Sequence, residues 1–258
     1  MNEEAPLSIV PRRASGFVNW RQASILTSRY LDVIWGDKAY TLLLLAQAPI
    51  IAALIALRFN KAPETESLYF CLVLGAIWLG CVNACREIAK EQTIYQRERL
   101  AGLDIGAYVW SKTQVLTLLA VVQCALLLGI VAHWVTLHGS LVAIFLCLLA
   151  AAVAGTALGL AISAWAKSSD VAVGLVPVVM FPQILFSKFV LPERFLEGIA
   201  RYIEQATITK WSYEMLAEIA ARHQEVDWGA AFSDFGILGG IAVALLLLTG
   251  LLLKMREW

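Results

Sequence analysis

Residues 86–100 read Arg-Glu-Ile-Ala-Lys-Glu-Gln-Thr-Ile-Tyr-Gln-Arg-Glu-Arg-Leu, a dense charged stretch between two long apolar runs. Arg86, Glu87, Lys90, Glu91, Arg97, Glu98 and Arg99 are its charged side chains, and Tyr95 stands among them. No nucleophile is paired with a base, so the chemistry on offer is ionic contact rather than bond-making. At helical spacing Glu87 and Glu91 share a face, as do Arg86 and Lys90. Each like-charge pair costs about 0.2–0.5 kcal/mol in isolation, and the Glu87–Lys90 pair offsets part of that. Such a stretch is either a solvated helix end held at the water face by its basic residues, or a docking surface for a partner of complementary charge.

Other chemistry finds little support. No G-x-x-x-x-G-K-[ST] phosphate loop, H-E-x-x-H or Ser/His/Asp arrangement is present. No catalytic residue is assigned, and no apolar run contains a plausible catalytic pair. His133, His138 and His223 lie beside or within polar segments and read as interfacial or surface residues, with a metal or proton role the lesser alternative. Cys71, Cys81, Cys85, Cys124 and Cys147 all fall inside apolar runs and read as small buried side chains. Cys81 and Cys85 share a helix face, but no metal site is expected there. A formal net charge of zero gives no reason to expect a nucleic-acid partner.

The elements that carry the charged stretch are apolar. The chain is 60% hydrophobic with a mean hydropathy of +0.72, against about 45–50% for a soluble domain. It reads as an all-α membrane protein. Residues 1–16, with Pro6 and Pro11, form a flexible lead without a secretory signal pattern. In 17–36, Phe17, Trp20, Ile25, Leu26, Leu31 and Ile34 alternate at helical spacing with Arg21, Gln22, Ser24 and Arg29, which predicts an amphipathic helix in the membrane interface.

Six spans are expected in residues 37–258: 39–57, 68–85, 109–135, 140–165, 171–189 and 235–253. Pro49 kinks the first unless neighbours satisfy the freed carbonyl. The fourth is rich in Ala and Gly, which allows close helix approach. The fifth carries Gly174, Pro177 and Pro182 and is expected to bend or break. The balance of Lys and Arg places both termini and the charged stretch in the cytoplasm. The segment 191–234 is then exterior, and its amphipathic runs 195–203 and 213–220 predict short helices.

The run Gly80-x-x-Asn83-Ala84-x-Arg86-Glu87-Ile88-x-Lys90-Glu91-x-x-Ile94-Tyr95-x-Arg97-Glu98-Arg99-x-x-Gly102-Leu103, continued by Ala107-Tyr108-x-x-Ser111-Lys112, resembles the membrane domain of type-2 ABC exporters, White/G-subfamily kind. Gln22, Leu26, Arg29 and Asp37 match that family's connecting helix. Pro182-Gln183-x-Leu185-Phe186-Ser187 resembles its fifth-span exit, and Lys210-Trp211-Ser212-Tyr213-Glu214-x-Leu216 its exterior motif. Lys188 stands where the family has glycine, Gly36 where it has arginine, and Ile208 where it has proline.

The resemblance implies a permease subunit that exports an amphiphilic or lipid-like substrate. It implies a partner ABC ATPase that binds ATP and Mg, with no cofactor in this chain. It also implies pairing with a second copy, as a homodimer, or with a paralogue, in a bacterial inner membrane. By resemblance, 17–36 is the connecting helix, and Arg86, Glu87, Lys90, Glu91, Tyr95, Arg97, Glu98 and Arg99 form a coupling helix that touches the ATPase. Substrate would sit between second and fifth spans, against Phe70, Leu74, Ile77, Trp78, Cys81, Val178, Phe181 and Phe186. Phe189 and Val190 would form the exit gate. A non-transporting membrane anchor for a cytosolic partner is the alternative of a different class.

Overall fold

A computed structural model describes residues 19–60, 66–187, 190, 198–220 and 227–256. The expected lead at 1–16 and the gate residue Phe189 lie outside the described residues. Helices and their connections account for everything described, with no strand among the described residues. The amphipathic segment forms α1 (Trp20–Gly36). Next come α2 (Lys38–Phe59), α3 (Glu66–Ala84), a 3-10 turn (Ala89–Glu91) and α4 (Gln92–Leu100). Then follow α5 (Ile105–Trp134), α6 (Leu141–Trp165), α7 (Ser169–Leu185), α8 (Ile199–Ala206), α9 (Ile208–Ile219) and α10 (Trp228–Met255).

Helix starts follow side-chain caps that satisfy otherwise orphaned N–H groups. Asp37 accepts from Tyr40 N at 3.0 Å, and Asp104 from Ala107 N at 3.0 Å. Asp227 accepts from Gly229 N and Ala230 N at 2.9 and 3.1 Å. That last cap starts α10 at Trp228, whereas the last span was expected from 235. The sequence assigns 191–234 to an exterior segment, and the helix begins inside the end of that segment.

Five helices, α2, α3, α5, α6 and α10, are long and apolar enough to cross a membrane. The expected fifth span forms α7, of 17 residues. At 1.5 Å per residue it reaches about 25 Å, less than a hydrocarbon core of roughly 30 Å. Six helices of spanning length were expected, and five are found among the described residues. The helix ends at Leu185, three residues past Pro182. The stretch 86–100 is also not one helix: the chain turns at 85–88 before the 3-10 turn and α4.

The core is centred on α3 and α6. A Cβ on Gly155 would collide with the Ile77 carbonyl oxygen, one on Gly159 with that of Cys81, and one on Gly80 with that of Ala152. The two backbones therefore touch along their length, as the small-residue run of 140–165 predicts. Beside this core lies a second apolar cluster that includes Leu26 and Tyr30 of α1, Tyr95 of α4, and Tyr108 and Leu116 of α5. It seats α1 and α4 on the first turns of α5.

Candidate functional site

Charge concentrates where α1, the turn after α3, α4 and α5 meet. Glu87 lies in that turn and is buried. Its carboxylate accepts from the Tyr30 hydroxyl of α1, from Lys90 Nζ at 2.7 Å, and from the Tyr40 hydroxyl of α2 at 3.3 Å. Glu91 accepts from Lys112 Nζ of α5 at 2.6 Å and from the Tyr108 hydroxyl at 3.5 Å. Lys112 is itself buried, stands 4.0 Å from Glu87, and lies 3.7 Å from the centre of the Tyr30 ring. It thus bridges the two carboxylates whose mutual repulsion the sequence displays. Burial, then the Glu87 charge, push the Tyr30 phenol well above its ordinary pKa, so it stays a donor.

The surrounding backbone is fixed as well. Ser163 Oγ of α6 accepts from Ile88 N at 2.9 Å and Ala89 N at 3.0 Å, which pins the turn after α3 to the bundle. Arg29 of α1 forks onto Glu98 of α4 at 2.5 and 3.2 Å, and the carboxylate raises the guanidinium pKa further. Asn19 N donates to Asp104 at 3.1 Å, while Asp104 N donates to Gln22 at 3.0 Å, so α1 and the start of α5 cap each other. Gly102, at φ 97°, makes the turn out of α4 in a conformation that other residues adopt at a cost.

The residues expected to touch a partner therefore divide. Glu87 and Tyr95 are buried; Glu91, Glu98 and Arg99 are half-buried, and Arg86 stacks on Tyr40 at 5.4 Å. Arg99 Nη1 donates to the Leu103 carbonyl at 2.5 Å. Of the charged residues on α4, Arg97 is left on the open face. It sits there with Thr93, Ile94 (49% exposed), Gln96 and Leu100 (90% exposed), which the charge pattern alone does not bring forward. The open face of α4 therefore carries two aliphatic side chains around one arginine.

The cavity residues divide too. Phe70 and Phe186 come together in a small hollow with Ser187, Thr209 and Tyr213, of about 10 Å³, room for one water at most. Leu74 is half-buried on the core. Trp78, Val178 (64%) and Phe181 (63%) are exposed. Ile77 and Cys81 are corrections to the expected set: both are fully buried under α6, where Gly155 and Gly159 let the backbones meet. Helix α7 buries Ala172, Val176, Met180 and Gln183 in one stripe, leaving Val173, Val178 and Phe181 uncovered. Val190 is exposed.

Two polar links were not visible in the sequence. Asn83 Nδ2 donates to Gln123 Oε1 at 2.5 Å, and Gln123 Nε2 to the Leu44 carbonyl at 2.8 Å, tying α3, α5 and α2 inside the bundle. Gln183 of α7 accepts from Thr209 N and Oγ1, both at 3.1 Å, so it caps the first turn of α9. An amide inside an apolar run marks Asn83, Gln123 and Gln183, and the family motifs name Asn83 and Gln183 without showing what they bind. Among the described residues no group of His, Cys, Asp and Glu is arranged to hold a metal.

Comparison with known proteins places these features. The chain is 30% identical over 194 residues to the ABC transporter ATP-binding/permease protein Rv1747 of Mycobacterium tuberculosis (strain ATCC 25618 / H37Rv). That match covers 67% of this chain and 22% of the relative, so the chain spans about a fifth of that protein's length. The ABC-2 type transporter family matches residues 21–220, which include the charged junction and α9. The chain belongs to the ABC-2 type transporter family, as a multi-pass membrane permease domain.

Proposed function

We propose that this chain is the permease subunit of an ATP-driven exporter, moving an amphiphilic or lipid-like substrate out of the cytoplasm or its membrane leaflet. ATP and Mg bind a partner ABC ATPase, which docks on the open face of α4 at Ile94, Arg97 and Leu100. The relative's name pairs ATP binding with a permease, which supports such a partner. Both termini and α4 face the cytoplasm of a bacterial inner membrane, in line with the Lys/Arg balance. Helix α7 counts as the sixth crossing element.

A second copy or a paralogue packs against the uncovered face of α7 and the neighbouring Trp78. Val178 and Phe181 then line an apolar path on the shared axis. Phe189 and Val190 close it on the exterior side.

One observation carries the reading. Helix α4 is ionically fastened on its inner side to α1, through Arg29–Glu98, and the segment just before it to α5, through Glu91–Lys112. Its outer side is open. A push on that outer side is delivered to several helices together, which is what coupling requires. The test is co-purification with the ATPase and ATP-dependent flux in vesicles. Arg97→Glu with Leu100→Ala should abolish ATPase binding in a folded bundle. Retention of both binding and flux would sink the proposal, and so would purification as a monomer with no ATPase attached.

A further inference from the structure

Away from the coupling face, the end of α6, the start of α7 and the end of α10 enclose a cleft of about 390 Å³. Its walls are Trp165, Lys167, Val171, Leu252, Met255 and Arg256. It therefore joins two basic side chains to three apolar ones and an indole, at the ends of three helices. Among the described residues neither Lys167 nor Arg256 has a carboxylate partner, although Asp170 stands exposed nearby in the first turn of α7. Arg256 is held in place: Nη2 donates to the Trp165 carbonyl at 2.6 Å. The Gln92 carboxamide, oriented to suit its neighbours, accepts from Arg256 Nη1 at 3.1 Å and donates to the Lys167 carbonyl at 3.3 Å.

We propose that this cleft binds an anionic phospholipid, with the headgroup phosphate between Lys167 and Arg256 and the acyl chains along Val171, Leu252 and Met255. Charge complementarity selects the headgroup: a basic pocket between helix ends at a membrane boundary attracts anionic lipid. A guanidinium held by two acceptors presents its remaining N–H groups in a fixed fork suited to phosphate. Trp165, at the end of α6, is exposed, and indoles are enriched at headgroup level. Gln92 opens α4, so a lipid seated here touches the coupling helix from behind, on the side opposite the proposed ATPase. Its leaflet rests on the proposed orientation; its lipid preference does not.

The test uses the full chain in phosphatidylcholine vesicles, with brominated phosphatidylglycerol or brominated phosphatidylcholine as quencher. The Trp165 signal is the difference between wild type and Trp165→Phe. Phosphatidylglycerol should quench it at severalfold lower mole fraction than phosphatidylcholine. Lys167→Gln should weaken that preference by roughly fivefold, the effect of one basic side chain at an anionic surface, and Lys167→Gln/Arg256→Gln should remove it. Lys167 is exposed and, among the described residues, its side chain holds no other in place, so its single variant decides the matter even if Arg256→Gln misfolds. Equal quenching by the two lipids, or an unchanged preference in Lys167→Gln, overturns the proposal. Displacement by millimolar glycerol phosphate would assign the cleft to free phosphate and overturn it as well. None of these readings involves transport, so they stand or fall apart from the exporter assignment.

Discussion

Lys112 Nζ lies 2.6 Å from Glu91 Oε2 across the gap between the turn before α4 and the second turn of α5, with Lys112 buried. This contact reassigns Glu91. In the sequence it stands in a charged run beside Arg97, and both are read as partner contacts. In the folded chain Glu91 faces inward and Arg97 outward, so substitutions at the two positions have different consequences.

Glu91→Lys places a second ammonium beside Lys112 and leaves only Glu87, already paired with Lys90, to neutralise them. Breaking one partner of a buried pair costs about 3–5 kcal/mol. A loss of folded protein is therefore expected, read as reduced yield and an earlier melting transition in detergent. Replacing both partners, Lys112→Met with Glu91→Leu, removes the uncompensated charge and should recover part of that loss. Arg97→Glu should melt as wild type does and lose only the partner. If Glu91→Lys also melts as wild type does, the inward role given to Glu91 is wrong.

How far the sequence reaches is plain from this pair. The position of the charged stretch, its apolar flanks, the amphipathic helix α1 and the small-residue helix are set by local pattern, and each appears where the pattern puts it. Which side of α4 faces the bundle depends on the angle at which the chain leaves α3. That angle is fixed by Ser163, on a distant helix, capping Ile88 and Ala89. No local pattern records such a contact. The same limit misplaces Ile77 and Cys81: an apolar residue facing a glycine on another helix looks in sequence like one facing a cavity. The start of α10 is missed because a single cap at Asp227 begins the helix inside the segment read as exterior.

The α3–α6 contact gives a second expectation. Gly155→Leu drives a branched side chain into the Ile77 carbonyl, and backbone cannot rotate away as a side chain can. Overpacking of this kind costs about 1–3 kcal/mol or more. Gly174→Leu, at a glycine with open space around its Cβ position, should cost far less. Thermal melts of the two variants in one detergent check the ranking, and equal loss would contradict the close approach.

Gln183 offers a third. Gln183→Leu keeps the volume but leaves Thr209 N, a buried first-turn donor of α9, without its acceptor. An unsatisfied buried donor costs about 1–3 kcal/mol. The loss should concentrate on α9 and the end of α7, seen as faster amide exchange there while α3 and α6 keep their protection. Gln183→Glu retains the acceptor and should restore protection of Thr209. Faster exchange spread evenly over the bundle would mean that Gln183 does not link these two helices in particular.

The uncovered stripe of α7 gives the last. Val178 and Phe181 are exposed in the single chain, on the face opposite Ala172, Val176 and Met180. Truncating an exposed apolar side chain removes no packing within the chain, so Val178→Ala/Phe181→Ala should fold with an unchanged monomer melting profile. If this face lines a shared path, the double variant alters flux of an amphiphilic substrate, or the basal hydrolysis of the attached ATPase, severalfold. Ile77→Ala supplies the contrast, because it opens a cavity under α6 and should cost about 2–5 kcal/mol of stability. A non-transporting anchor makes the opposite prediction for the α7 pair: hydrolysis and partner binding stay as in wild type while both side chains are gone. Flux and hydrolysis measured side by side on these variants separate a wall of the transport path from a surface that only meets lipid.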